Sequence, residues 1–255
     1  MKKLLTLLAL TISFSINAQV STNNTNPSNY NASAIGTETS ASGWASTAMG
    51  AYSTASGLSS TAMGGNTIAS GAHSTAMGRL TTASGSRSTA MGDNTTASDY
   101  ASLVIGQYNS SGSSVTNSAT SFSPSNTAFV IGNGTDSSNK SDAFKVMFNG
   151  DTTVGGDITI SSDARLKSNI VSLGSTLSKL LLIDGKSYEK DGKQRIGVLA
   201  QEIQEVFPEL VTEDGNEMLA VNYQGLVPVL INALKEQDEK INRLEKLVEK
   251  LIDNQ

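Results

Sequence analysis

Between Ala34 and Asn109 the larger apolar side chains are sparse and evenly placed. Met49, Met63, Met77 and Met91 stand 14 residues apart, and Ile35 and Ile105 extend the column by one step at each end. Gly36, Gly50, Gly64, Gly78, Gly92 and Gly106 follow them directly, and Ala-Ser-Gly recurs in step at Gly43, Gly57, Gly71 and Gly85, with Asp99 at the fifth site. Each unit reads as two short strands, each closed by a turn residue that tolerates positive φ. A fixed period this short means a coiled β-structure in which each turn stacks on the next. At a ladder spacing of about 4.8 Å, the six coils make a rod roughly 25–30 Å long.

The pattern then changes twice. Residues 110–126 are rich in Ser and Asn, which predicts a loop or loosely ordered neck. Thr127–Gly134 and Asp142–Gly150 are strand-like runs closed by Asn-Gly turns, and Asp151–Ile160 alternates as a third strand. Further on, Arg195–Val211 places Val198, Ile203, Val206 and Phe207 near helical spacing before a stop at Pro208. The last stretch is a long helix whose Val227, Leu230, Leu234, Gln237, Ile241, Leu244, Val248 and Leu251 alternate 3 and 4 apart. That is a coiled-coil seam, and the pattern by itself favours two strands.

Composition sharpens the repeat. Ala, Ser, Thr and Gly bury little apolar area, whereas ordering a residue costs about 1–2 kcal/mol. One Met or Ile per 14 residues does not offset that cost within one chain. Several chains sharing their Met/Ile columns around one axis would. The helix seam points to assembly independently. Two threonine-type columns, Thr47/Thr61/Thr75/Thr89 and Ser53/Thr67/Thr81/Thr95, leave an ice-binding solenoid as a remote alternative, since such arrays are also ordinary β-surface.

The 255 residues carry a formal net charge of −5, which gives no reason to expect a nucleic-acid partner. Between Gln19 and Asn139 the only basic residues are Arg79 and Arg87, and ordinary charge density resumes at Lys140. There is no cysteine, hence no disulfide or thiolate metal site, and the lone histidine, His73, sits in a repeat turn. No metal and no cofactor are expected. Lys2 and Lys3, the apolar run Leu4–Ile16 and the small Ala18 predict an export signal over residues 1–18, with an extracellular or cell-surface product starting near Gln19. Trp44, the single tryptophan, falls in a turn between repeats and reads as an incidental surface residue.

The repeat "STAMG"/"SLVIG" with intervening "TASG" resembles the head repeats of trimeric autotransporter adhesins. That resemblance implies a left-handed parallel β-roll assembled as a homotrimer, with Met49, Met63, Met77 and Met91 in the trimer core. No C-terminal membrane β-barrel follows, so barrel anchoring is not carried over.

"SSDARLKSNI" (Ser161–Ile170) reads locally as a short turn capped by Ser162 or Asp163. Together with Gly197, Ala200-Gln201-Glu202, Pro208-Glu209 and Tyr223, it resembles the intramolecular chaperone domain of phage endosialidases and related tailspikes. The resemblance implies a domain that trimerises, aligns the fibre before it, and then releases itself by a single-turnover Ser-Lys cleavage. The dyad maps onto Ser162 and Lys167, the scissile bond onto Ser161–Ser162, and motif support onto Asp163, Arg165 and Asn169; the oxyanion donors are left unassigned. A lysine serves as base only where desolvation or nearby cations lower its pKa from about 10.4, so the expectation is a neutral Lys167 in the trimer. The resemblance also makes Leu230, Leu234, Ile241, Leu244, Val248 and Leu251 a three-stranded seam, against the two-stranded preference of the heptads.

The expected organisation is thus a signal at 1–18, a linker at 19–33, a β-roll head at 34–109, a neck and β connector at 110–160, and a chaperone domain at 161–255 with a coiled coil at 223–252. The fold class is mostly β with an α C-terminus. The function read from this is a secreted trimeric fibrous or adhesin-like protein whose terminal domain folds it and removes itself, binding a surface or host ligand of unknown identity. A non-cleaving structural trimer and a phage-derived tail-fibre or receptor-binding protein remain alternatives.

Overall fold

The computed structural model describes Asn26–Pro27 and residues 31–254. The expected export signal lies outside the described residues. The chain forms two compact units, one ending at Ile160 and the other beginning at Ser161.

The first unit is mostly β. Short strands Asn26–Pro27 (β1), Ser40–Ala41 (β3), Thr54–Ala55 (β5), Ile68–Ala69 (β7), Thr82–Ala83 (β9) and Thr96–Ala97 (β11) form one parallel six-stranded sheet. Long strands Ser33–Thr37 (β2), Thr47–Ala51 (β4), Thr61–Gly65 (β6), Thr75–Arg79 (β8), Thr89–Asp93 (β10) and Leu103–Gln107 (β12) stack in parallel on the other side. Every rung pairs residue i with i+14, so Met49, Met63, Met77 and Met91 lie side by side. β1 belongs to this roll, inside a stretch whose composition reads as linker. A proline is admissible there because β1 is the edge strand.

The interior of the repeat is alanine and hydroxyl, followed by Val104 and Val130 on the last parallel rungs. Ala48, Ala62, Ala76 and Ala90 from the long strands meet Ala41, Ala55, Ala69, Ala83 and Ala97 from the short ones, all fully buried. Ser53, Thr67, Thr81 and Thr95 are buried as well, with Thr67 Oγ1 donating to Ser53 Oγ at 2.9 Å. One of the two threonine-type columns therefore lies inside the roll and is no solvent-facing array. The methionines alternate with the buried alanines and so point outward.

The two glycine columns do different work, and the expectation of two positive-φ turn closers is corrected for one of them. Gly64 and its equivalents do adopt positive φ, +127° at Gly64. Gly57 does not. A Cβ on Gly57 would lie 2.1 Å from the carbonyl oxygen of Gly71 in the next coil, so close backbone approach excludes any side chain. The left-handed turn residues instead fall every seventh position on Ala45, Tyr52, Ser59, Asn66 and His73, among others. Their N–H groups bond to the preceding coil, as in Ser59 N–H to Trp44 O at 2.8 Å and Asn66 N–H to Ala51 O at 2.9 Å. Those bonds offset the cost of left-handed non-glycine backbone.

Asp99 occupies a glycine site because the repeat ends above it. Its fully buried carboxylate accepts from Thr116 N–H at 2.6 Å and Thr127 N–H at 2.7 Å. Residues 110–126 are thus a loop, the first of the two predicted forms, and one ordered by hydrogen bonds. Ser98 N–H bonds to Gly112 O, Tyr100 N–H to Ser118 O, and the buried Asn109 and Asn126 side chains hold Thr96, Ser111 and Ser118. The chain then re-enters the long-strand sheet as Thr127–Asn133 (β13), parallel to β12 with Leu103 opposite Phe129 and Ile105 opposite Ile131. Asp142–Met147 (β14) and Thr152–Val154 (β15) extend it antiparallel to nine strands. The third connector strand is shorter than its alternation suggests and ends at Val154, before two glycines.

The second unit has little interior. A short helix Leu177–Leu180 (α1), a hairpin Lys186–Lys190/Lys193–Gly197 (β16–β17), a helix Ala200–Val206 (α2) and a hairpin Val211–Glu213/Leu219–Val221 (β18–β19) lead to a long helix Leu226–Asp253 (α3). Among the described residues Ile203, Phe207 and Val229 form its buried apolar nucleus, with Leu180, Ile183, Val198 and Leu210 among the side chains packed on it. Glu236 of α3 ties the start of α1 down, accepting from Ser175 Oγ at 2.7 Å, from Leu177 N–H at 3.1 Å and from Thr176 N–H. The Ser175 hydroxyl, with the backbone donors behind it, lowers the Glu236 carboxyl to about 2.

Candidate functional site

The segment Ser161–Ile170 is exposed throughout and carries one tight feature. Asp163 caps a single 3-10 turn, Ala164–Leu166, by accepting from Arg165 N–H at 2.9 Å. The turn closes with Leu166 N–H on Asp163 O and Lys167 N–H on Ala164 O, both 3.1 Å. Arg165 folds back over the cap, its Nε and Nη2 reaching the Asp163 carboxylate at 3.0 and 2.6 Å. That guanidinium holds the Asp163 carboxyl below the usual range, and the carboxylate in turn raises the Arg165 pKa. The turn reverses the chain so that Lys167 Nζ donates to Ser162 Oγ at 2.6 Å.

The structure therefore brings Ser162 and Lys167 together, and Asp163 with Arg165 forms the cap that makes the reversal. Asn169 stands two residues past the lysine with left-handed backbone, φ 52°. Among the described residues no hydrogen bond joins it to the pair. Chemically, the arrangement sets an amine on a hydroxyl next to the Ser161–Ser162 peptide bond. A hydroxyl beside an unprotonated amine is an activated nucleophile.

The other motif residues of this unit have structural work. Gly197 packs beneath Tyr223, where a Cβ would sit 2.7 Å from the phenol oxygen, and that oxygen accepts from Val198 N–H at 3.3 Å. Glu202 accepts from Asp184 N–H at 3.0 Å and pairs with Lys186 at 3.3 Å. Pro208 opens a 3-10 turn, where its missing N–H costs nothing.

Two apolar faces are uncovered in the single chain. On α3, Leu230, Leu234, Ile241, Leu244, Val248 and Leu251 are all exposed, Leu234 by 71%. On the roll, Met49, Met63 and Met91 are half-buried and Met77 exposed. None of the ten residues expected at a trimer core is enclosed by its own chain. Sequence periodicity did not reveal that the roll's outward column continues past the repeat into Ile131, Phe144 and Val154. The rungs show it, with Ile105 opposite Ile131, Ile131 opposite Phe144 and Phe144 opposite Val154.

Comparison with known proteins divides the chain the same way. Residues 28–53, 55–81 and 83–109 match the YadA head domain repeat. Residues 162–212 match the family described as chaperone of endosialidase, peptidase family S74. Among curated relatives, the long tail fiber protein Gp37 of Enterobacteria phage K3 is 36% identical over 100 residues, covering 35% of this chain and 8% of the relative. Gp37 of Salmonella phage S16 is 31% identical over 110 residues, 38% of this chain and 15% of the relative. Gp37 of Enterobacteria phage M1 is 30% identical over 100 residues, 34% of this chain and 40% of the relative. The chain thus spans under half the length of each of these relatives.

Proposed function

We propose that this chain is one strand of a homotrimeric fibre, displayed outside the cell or on a phage particle, whose second unit registers three copies and then detaches. The observation that carries the reading is the pairing of Ser162 Oγ with Lys167 Nζ at 2.6 Å, at the junction where the second unit begins. It is supported by the two uncovered apolar faces and by the two family matches. The domain scheme is a head at 34–109, a connector at 110–160 and a chaperone at 161–255.

In the cleavage step Lys167, unprotonated, takes the proton of Ser162 Oγ, and the oxygen attacks the carbonyl carbon of Ser161. The C–N bond to Ser162 breaks, its nitrogen leaves as an amine carrying the transferred proton, and water hydrolyses the resulting ester. Both side chains are exposed in one chain. Packing by neighbouring copies would remove water from the lysine, which favours its neutral form. Cleavage would therefore wait for assembly.

The test is the intact mass of the purified chain beside Ser162→Ala and Lys167→Ala. Two fragments meeting at Ser162, absent from both variants, establish self-cleavage. An intact chain in all three leaves a permanent trimeric cap. The printed names of the relatives favour a phage fibre as the second reading. Lys2-Lys3 and the apolar run after them favour export. A mature product beginning near Gln19 in the extracellular fraction decides for export.

A further inference from the structure

A trimer built on the methionine face has a register problem. Met49, Met63, Met77 and Met91 form one outward column and Thr47, Thr61, Thr75 and Thr89 the next, each identical from coil to coil. If one copy slides along another by a single coil, methionine again meets methionine and threonine meets threonine. Nothing in these two columns penalises the slip, and flat, repetitive strands specify register weakly.

The rungs beyond the repeat are different. In the threonine column, Thr89 is followed by Leu103, then Phe129 opposite it, then Val146. In the methionine column, Ile105 is followed by Ile131, Phe144 and Val154. Phe129 and Phe144 meet edge-on with ring centroids 6.0 Å apart. Here the stripe widens from one apolar residue per rung to two, with no charged side chain in either column. The side chains are exposed or half-buried, so the chain itself does not cover them.

We infer that Leu103, Phe129 and Val146, with Ile131 and Phe144 beside them, form a register key that docks against the same residues of two further copies of this chain. A symmetric trimer places each residue against its own equivalents, which suits a surface that is apolar, uncharged and non-repeating. A slip of one coil brings the Leu103 rung level with a Thr89 rung of the neighbouring copy and leaves the Phe129 and Val146 rungs mismatched. The key lies wholly in the first unit, so it keeps the fibre in phase after the second unit has gone. This inference rests on the trimer proposed above.

The absence of cysteine gives a clean test. Full-length chains carrying Met49→Cys and Met77→Cys are co-expressed and oxidised. In register the two positions lie two coils apart, about 10 Å, beyond disulfide reach, and a slip of one coil closes that to about 5 Å. The otherwise unaltered pair should yield 49–49 and 77–77 links only. Adding Leu103→Thr, Phe129→Thr and Val146→Thr should raise the mixed 49–77 link at least about fivefold, because the threonine column then repeats without a break. Leu103→Thr with Phe129→Leu and Val146→Leu, which keeps two rungs apolar, should restore the original pattern, and its melting curve guards against simple misfolding. Links confined to 49–49 and 77–77 in the triple variant overturn the key while the trimer stands, as do mixed links in the unaltered background. Monomers with no interchain link in any background overturn the trimer and the key together.

Discussion

Gly57→Ala isolates what the coil-to-coil contact is worth. The new Cβ would stand 2.1 Å from Gly71 O, 2.6 Å from Gly71 C and 3.0 Å from Ser70 O, all backbone atoms of the next coil that cannot rotate away. Restoring ordinary contact requires the coils to part locally by about 1 Å, since non-bonded atoms sit near 3.5 Å. Two hydrogen bonds bridge that gap, Ser56 N–H and Gly57 N–H to Ala69 O, at 3.0 and 3.1 Å. A 1 Å opening puts both beyond hydrogen-bond range. Two lost backbone bonds and the residual strain amount to about 2–4 kcal/mol per chain. For a domain of this size that lowers the melting temperature by about 4–16 °C. The matched control is Gly65→Ala, which meets nothing within 4 Å and stands where other coils carry Ala51, Arg79 and Asp93. It should change stability by less than about 0.5 kcal/mol. Both are measured by scanning calorimetry on the full chain with Ser162→Ala, so that cleavage does not intervene. Equal melting temperatures for the two glycine variants would refute the close-approach reasoning.

Two further outcomes follow from single side chains. Asp99→Ala strips the acceptor from Thr116 and Thr127 N–H and should cost about 3 kcal/mol, with faster proteolysis within residues 110–126 as the readout. Glu236 has its carboxyl lowered from 4.5 to about 2, chiefly by the Ser175 hydroxyl, so its contribution is complete above about pH 4.5 and is lost as pH falls towards 2. Glu236→Gln should lower the melting temperature of the second unit at neutral pH and flatten its decline between pH 4.5 and 2. An unchanged acid limb would show that the latch onto Ser175, Thr176 and Leu177 does not stabilise the unit.

The parts of the fold legible in the sequence are those with a period. The 14-residue spacing fixed which residues share a rung, because in-register parallel pairing admits one partner per residue. The 3–4 alternation of the last stretch likewise marked one continuous helix, Leu226–Asp253. Less legible was where each element faces the rest. Alanine reads as filler, yet it is the interior, because two sheets joined by tight turns leave room for a methyl group and little more. The two glycine columns look alike in sequence and differ only in whether φ or the neighbouring carbonyl forbids a side chain. Ser/Asn composition suggested a loop or loose neck; the stretch is a loop, and what composition did not show is that Asn109, Asn126 and Asp99 hold it with hydrogen bonds. At the candidate site, the Ser162–Lys167 spacing was visible, but the device that closes it was not. A three-residue 3-10 turn, capped by Asp163 and covered by Arg165, brings the lysine back onto the serine.

The first unit has solved the problem of stacking and created one of uniqueness. Small interior residues let coils approach closely, but they leave the methionine column on the outside, where it is the same from coil to coil. Such a surface is sticky and ambiguous, and long-range pairing between separate chains is slow. The second unit, with three fully or nearly fully buried apolar side chains at its nucleus and a long uncovered seam, is suited to meeting copies of itself rather than to standing alone. Assembly directed from that end would bring the connector rungs together before the repeats. Zipping would then start at Phe129, Phe144 and Leu103, the rungs that differ, and proceed into the rungs that do not. A register chosen at a distinctive end and propagated into a repetitive one needs no further information along the way. The cleavage proposed above would then remove the director and leave the product trapped in the register already formed.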